Sequence, residues 1–267
     1  MTIRVGVFGA AGRMGRTVCA AVQADADLEL VAAVDPFHEG LDLASVTGVD
    51  SAVVVAGGAE ALALAETQVA VDFTAASAAR ENLGWCAEHG VHAVVGTTGL
   101  ADDDLRDLAS QFTSSNCVYA PNFAIGAVLL MRMAELAAPW FDTVEIIEMH
   151  HDGKVDAPSG TAMLTAERMA ARSADWAADP TTRHVVEGAR GGNGPGGIRM
   201  HSVRLRGLVA HQEVLLGTTG QTLSIRHDSH DRNSFMPGVL LAVKAVADRP
   251  GVTVGLDALL DLSLIHI

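Results

Sequence analysis

Along the first 120 residues, short apolar runs alternate with segments whose apolar positions recur at helical spacing. Residues 3–8, 28–35, 69–74, 91–95 and 117–120 each read as a strand. An alanine-rich helix runs to about Ala24, another spans about 77–89, and 102–111 is a helix with acids in its first turn. Strand–helix alternation with short links predicts an α/β fold, a doubly wound Rossmann-type parallel sheet.

After Ala124 the pattern changes. A helix to about Ala138 precedes a β-branched strand ending in two histidines, and a further helical segment follows that strand. Residues 173–197 are polar and glycine-rich, and 188–197 read as a flexible loop. Three β-rich runs come next, 198–206, 208–216 and 221–228, and the Gly217-Thr-Thr-Gly220 link is a hairpin signal. Strands without crossover helices predict a second α+β domain on a mixed or antiparallel sheet. Residues 233–248 return to helix. The expected division is 1–123, completed by about 233–262, and 124–232.

Two places along this pattern carry chemistry. The first strand runs straight into Gly9-Ala10-Ala11-Gly12-Arg13-Met14-Gly15 and then a helix. Glycines at those offsets allow a tight turn, close approach of a pyrophosphate, and close helix–strand packing. The second strand ends in Asp35, at the spacing of about 20 residues from which a carboxylate reaches a ribose. Phe73, Thr74, Gly96, Thr97, Thr98, Ala120, Pro121, Asn122 and Phe123 lie at other strand ends, where such sheets bind ligands. The alternative is a Rossmann-like sheet with ordinary turns that bind nothing.

The second place is 145–162. His150 and His151 end the strand, Lys154 follows, and Pro158-Ser159-Gly160-Thr161 opens the next helix. Imidazoles move protons near neutral pH, an ammonium holds an anion, and free N–H groups at a helix start hold another. That set suits a small, multiply anionic substrate undergoing protonation. Each residue has a bland reading too: a histidine satisfied by carbonyls, a solvated lysine, a plain N-cap. Neighbouring histidines on a strand point to opposite faces, so no metal site is expected.

Composition narrows the classes. The chain has 267 residues and a net charge of −14, which argues against nucleic acid or an anionic membrane as partner. No apolar run reaches the length of a bilayer span, and no secretory signal is visible. Three scattered cysteines, Cys19, Cys86 and Cys117, read as buried thiols of a reducing cytosol, so a cytoplasmic location is expected. Lys154 is one of only two lysines beside eleven histidines. The arginines at 183, 190, 199, 204 and 206 read as flanking an anionic cleft or a subunit contact.

The run Glu148-Met-His150-His151-x-x-Lys154-x-Asp156-Ala-Pro-Ser159-Gly160-Thr161-Ala resembles the signature of the 4-hydroxy-tetrahydrodipicolinate (dihydrodipicolinate) reductase family, as do Gly9–Gly15, Asp72-Phe-Thr74, Gly96-Thr-Thr-Gly99 and Ala120-Pro-Asn-Phe123. The stretches from Gly188 to Arg204 and from Gly207 to Glu213 are especially similar to actinobacterial members. The resemblance implies reduction of a cyclic imine dicarboxylate with NADH or NADPH on the diaminopimelate route to lysine. It implies His150 as acid–base group and Lys154 as proton donor and carboxylate partner, with His151, Ser159, Gly160 and Thr161 holding substrate. Gly9 to Met14, Asp35, Phe73, Thr74, Gly96 to Thr98 and Ala120 to Phe123 would line the cofactor. It also implies a homotetramer built through the second domain.

Departures count as well. Asp152-Gly153 stands where relatives commonly carry a further basic or amide residue, and Pro36 follows Asp35 with no arginine to meet a 2′-phosphate, although Arg13 and Arg16 are near in sequence. NADH use at least as good as NADPH is therefore expected. The family ends near residue 262, so 263–267 read as a non-native tail. Two other classes stand beside this one. A semialdehyde dehydrogenase needs a nucleophilic cysteine at a helix start, and a redox regulator needs a DNA-binding module; neither is evident.

Overall fold

In the computed structural model, described for residues 2–173, 175–260 and 262, the chain divides into two compact units. The first is drawn from Met1–Phe123 and the stretch from Phe235 onward, the second is Ala124–Ser234. The expected tail at 263–267 lies outside the described residues.

The first unit holds a six-stranded parallel sheet in the order β11-β5-β4-β3-β1-β2. Its strands are β1 (Ile3–Phe8), β2 (Leu28–Val34), β3 (Val69–Asp72), β4 (His92–Val95), β5 (Cys117–Tyr119) and β11 (Val252–Val254). Helices α1 (Arg13–Ala24), α2 (Leu43–Thr47), α3 (Glu60–Leu64), α4 (Ala76–Glu88) and α5 (Asp102–Gln111) lie between them, and α8 (Met236–Ala245) precedes β11. All of β3 is buried, which explains its unbroken apolar reading until Asp72. α4 buries Ala79, Leu83, Cys86 and Ala87, the helical stripe that faces a sheet. In α5, the Asp104 side chain accepts the Ala101 N–H at 2.8 Å, closing the helix start. β11 is an addition to the expected strands. β5 is as short but fully buried and apolar, whereas β11 is Val-Thr-Val, partly exposed, and forms because it pairs with β5.

The second unit is a five-stranded sheet in the order β10-β9-β6-β8-β7. β6 (Thr143–His150) pairs parallel with β8 (Arg199–Arg204) and antiparallel with β9 (Ala210–Thr218), making the sheet mixed. β10 (Gln221–Ser229) and β7 (Gly192–Asn193) form its edges. Helices α6 (Ile125–Ala137) and α7 (Gly160–Arg172) pack together and against sheet strands. Val144, Ile146 and Glu148 alternate inward along β6 and are buried. Glu145, Ile147 and Met149 occupy the other face and are half-buried.

Three local expectations are corrected. Residues 188–197 are not simply a loop, because β7 and a 3-10 turn at Pro195–Gly197 lie within them. The hairpin turn is shorter than expected, since Gly217 and Thr218 still pair with β10. His151 lies beyond the last residue of β6, so strand alternation does not govern its direction.

Candidate functional site

The glycine turn of the first unit is built by close approach. Gly9 has φ +64°, and a Cβ on Gly15 would sit 2.0 Å from the Gly9 carbonyl oxygen. No larger residue fits there without moving the turn. Gly12 is the N-cap of α1 and offers no side chain to cap it, so first-turn N–H groups stay available to an anion. Ala10 and Ala11 are buried, and their N–H groups bond the Val34 carbonyl and the Asp35 carboxylate, each at 3.2 Å. Arg13 is exposed, Met14 is half-buried, and Arg16 donates to the Ala11 carbonyl at 2.9 Å.

Asp35 braces this turn. One carboxylate oxygen accepts the Ala11 N–H at 3.2 Å; the other accepts Phe37 N–H at 3.1 Å and contacts His38 Nδ1 at 3.0 Å. A carboxylate has about four acceptor sites, so one remains for a ribose hydroxyl.

Strands β5, β4, β3 and β1 are neighbours and parallel, which brings their carboxyl ends to one edge. Asp72, 1% exposed, organises that edge. Its Oδ1 accepts Thr74 N–H, Thr74 Oγ1 and Thr97 Oγ1, each at 2.8 Å, and its Oδ2 accepts Asn82 Nδ2 at 2.7 Å. The Gly96 N–H reaches the Asp72 carbonyl at 2.9 Å, and the Ala120 N–H reaches that of Val95 at 3.0 Å. Phe73 lies over Gly96 so closely that a Cβ there would meet the ring at 2.0 Å. The Phe73 and Phe123 rings are 5.7 Å apart. Thr98 and Pro121 are exposed, Asn122 is half-buried, and Ala120 is fully buried. The sequence reading named the segments Asp72 holds but not Asp72 as their anchor; its signal was an acid closing an all-apolar strand.

In the second unit, His150 and Ser159 bond Glu148, which is 0% exposed, and Lys154 is joined to it through Asp156 and Arg204. His150, two residues on and so on the same face of β6, places Nδ1 2.6 Å from Glu148 Oε2. Arg204 on β8 approaches the carboxylate in bidentate fashion, at 2.8 and 2.9 Å, and donates to the Asp156 carbonyl at 2.6 Å. Asp156 holds the Lys154 ammonium at 2.7 and 2.8 Å. Ser159 N–H points to Glu148 Oε1 at 3.3 Å, and the Ser159 hydroxyl caps α7 by accepting Ala162 N–H at 3.3 Å. Nothing lies within 4 Å of where a Gly160 Cβ would project, so the helix start has an open approach there. Thr161 is half-buried in the first turn and His151 is exposed.

Burial pushes the Glu148 carboxyl up, but bonds from His150, Arg204 and Ser202 outweigh it and hold it down to about 2. Asp156 is lowered by its bond to Lys154. The arginine group is more paired than its sequence reading implied. Arg190 bonds Glu145 at 2.6 Å, Arg199 meets Asp179 at 2.9 Å, and Arg206 meets Asp152 at 2.8 Å. Among the described residues, no group of three or more His, Cys, Asp or Glu is placed to hold a metal ion, and no helix is long and apolar enough to cross a membrane.

Among protein-family models, the N-terminal domain of dihydrodipicolinate reductase matches residues 3–123 and the C-terminal domain matches 126–260. The chain belongs to the dihydrodipicolinate reductase family. A 4-hydroxy-tetrahydrodipicolinate reductase of Nocardia farcinica is 50% identical over 98% of this chain and 100% of its own. That of Cutibacterium acnes is 49% identical over 97% and 99%. A solved dipicolinate-bound dihydrodipicolinate reductase from Paenisporosarcina sp. TG-14 has a TM-score of 0.85 at 41% identity, covering 97% of this chain and 99% of that one. A myo-inositol dehydrogenase of Corynebacterium glutamicum, 18% identical with a TM-score of 0.59 over 94% and 90%, shares the fold alone. As a dihydrodipicolinate reductase family member, the chain is an NAD(P)H-dependent oxidoreductase of lysine biosynthesis.

Proposed function

We propose that the chain reduces the cyclic imine dicarboxylate 4-hydroxy-tetrahydrodipicolinate to tetrahydrodipicolinate, the 4-hydroxyl leaving as water, with His150 as acid–base group and Lys154 as proton donor and carboxylate partner. The observation that carries this is the hydrogen-bonded chain Lys154–Asp156–Arg204–Glu148–His150, which also holds the start of α7 through Ser159. A proton-transfer group, an ammonium and a set of helix-start N–H groups thus lie around one buried anchor.

The bound nicotinamide supplies the hydride. Gly9, Ala10, Ala11, Gly12, Arg13 and Met14 would surround its pyrophosphate, with the Arg13 and Met14 N–H groups at the start of α1 donating to it; those of Ala10, Ala11 and Gly12 bond Val34, Asp35 and Gly9 and shape the crowded turn. Asp35 would take a ribose hydroxyl. Phe73, Thr74, Gly96, Thr97, Thr98, Ala120, Pro121, Asn122 and Phe123 would line the rest of the cleft. Asp35 followed by Pro36 favours free ribose hydroxyls, so kcat/KM with NADH should equal or exceed that with NADPH. A strong NADPH preference refutes this part.

Substrate carboxylates would be held by His151, Ser159, Gly160, Thr161 and Lys154. Asp156 already shows the ammonium binding a carboxylate at 2.7 Å. His150 would give the proton that the reduced imine system needs, a contribution of about 10²–10⁴-fold. The dipicolinate-bound relative supports a pyridine dicarboxylate as a mimic of the substrate here.

Assembly as a homotetramer through the mixed sheet belongs to the same reading. Its support is the β6 face bearing half-buried Ile147 and Met149, opposite the inward-turned Val144 and Ile146. Sedimentation of the intact protein tests it, and a monomer at micromolar concentration contradicts it.

The deciding assay is nicotinamide oxidation on adding freshly generated cyclic imine. Oxidation of NAD(P)H by the imine, with no reduction of NAD(P)+ by semialdehydes or amino acids, supports the assignment; the reverse pattern rejects it. Lys154→Ala should raise KM for the imine about tenfold or more.

A further inference from the structure

Glu148 is surrounded by donors. Oε2 receives His150 Nδ1 at 2.6 Å and Arg204 Nη1 at 2.9 Å; Oε1 receives Arg204 Nη2 at 2.8 Å and Ser159 N–H at 3.3 Å. A carboxylate held ionised in this way only accepts hydrogen bonds. The hydrogen in the 2.6 Å contact therefore sits on Nδ1 of His150. Nε2 bonds to no described residue and is the nitrogen left to exchange a proton.

We propose that Glu148, clamped by Arg204, is a positioning residue that fixes His150 in its Nδ1–H tautomer, so that Nε2 alone exchanges the proton with substrate. This rests on the reading of His150 as the acid–base group. The clamp has a second use. A bare buried carboxylate bonded to the acid–base group for a dicarboxylate would repel that substrate, and the Arg204 guanidinium cancels the charge. Glu148 thus acts through the direction of its hydrogen bond rather than through net charge. The same guanidinium holds the Asp156 carbonyl at 2.6 Å, so the tautomer of His150 and the loop carrying Lys154 are set by one ion pair.

The test is nitrogen NMR on the full chain labelled at histidine, with the His150 signals assigned by their loss in His150→Gln. At alkaline pH, where imidazoles are neutral, the proposal expects a protonated Nδ1 and a bare Nε2. A protonated Nε2 overturns it, and this measurement needs no variant of Glu148 to fold. In Glu148→Gln, Arg204 keeps the remaining carbonyl oxygen and the amide NH₂ turns to Nδ1. The neutral ring should then switch to Nε2–H, with kcat falling about 10²-fold or more while the NADH Kd stays within about twofold. An unchanged tautomer together with an unchanged kcat overturns the proposal. Full activity in His150→Gln instead rejects the acid–base reading itself, a failure recognisable because the wild-type spectrum still shows Nδ1 protonated.

Discussion

Each unit holds a buried carboxylate that organises the candidate residues of that unit, and the two do so in different ways. Asp72 is 1% exposed and its named side-chain partners are neutral: a backbone N–H, two threonine hydroxyls and an asparagine amide. Glu148 is 0% exposed and is met by a guanidinium and an imidazole. The first fastens loops, tying Thr74 and Thr97 at the ends of two strands so that backbone is shaped for a ligand. The second fastens side chains, fixing an imidazole and the loop that bears an ammonium. A dinucleotide cleft needs the first kind of order, because its contacts come largely from backbone. Proton transfer needs the second, because one nitrogen must point the right way.

The comparison breaks hardest at Arg204. Arg204→Ala leaves Glu148 charged and buried without its cation, and unfolding in denaturant should show a loss of about 3 kcal/mol. That is the low end for a buried pair, since the Arg204 side chain is 20% exposed. Stability within about 0.5 kcal/mol of wild type would contradict the clamp. Asp72→Ala strands several neutral donors and should cost about 2 kcal/mol. It should also weaken NADH binding about tenfold while Kd for dipicolinate is unchanged; an equal loss of both ligands would erase the distinction between the two anchors.

Acid sharpens the contrast. Glu148 is held at about 2 in the folded chain against an ordinary 4.5, so its stabilisation is complete above the unfolded value and is lost as pH falls from about 4.5 towards about 2. Glu148→Gln should therefore show a shallower fall of stability across that window than wild type. Parallel curves would show that the carboxylate is not specially held. The smallest effect is expected at Lys244, whose exposed ammonium meets Asp25 and Asp27 at 2.9 and 2.8 Å. Lys244→Met should leave the unfolding midpoint unchanged, because solvent screens such pairs.

The parallel sheet was legible because its central strands β3, β4 and β5 are almost wholly buried and so read as apolar runs, and because Gly9, Gly12 and Gly15 punctuate the first turn. β11 and β7 were not, since neither is the buried apolar run that made the equally short β5 readable, and both form by pairing with a neighbour. The residues of 145–162 were visible as chemistry, but their anchor was not. Arg204 lies 56 positions from Glu148, and only the parallel pairing of β6 with β8 joins them. Glu148 itself carried a readable sign: it precedes His150 by two on a strand, which puts both on one face. Asp72 was hidden differently, because a single acid ending a strand has the look of a simple turn former.

The most direct test of the account compares His150→Gln with wild type in turnover of the cyclic imine and in NADH affinity, measured on the same preparations. The account predicts kcat lower by about 10²-fold or more with NADH Kd unchanged. Wild-type turnover in His150→Gln would contradict it.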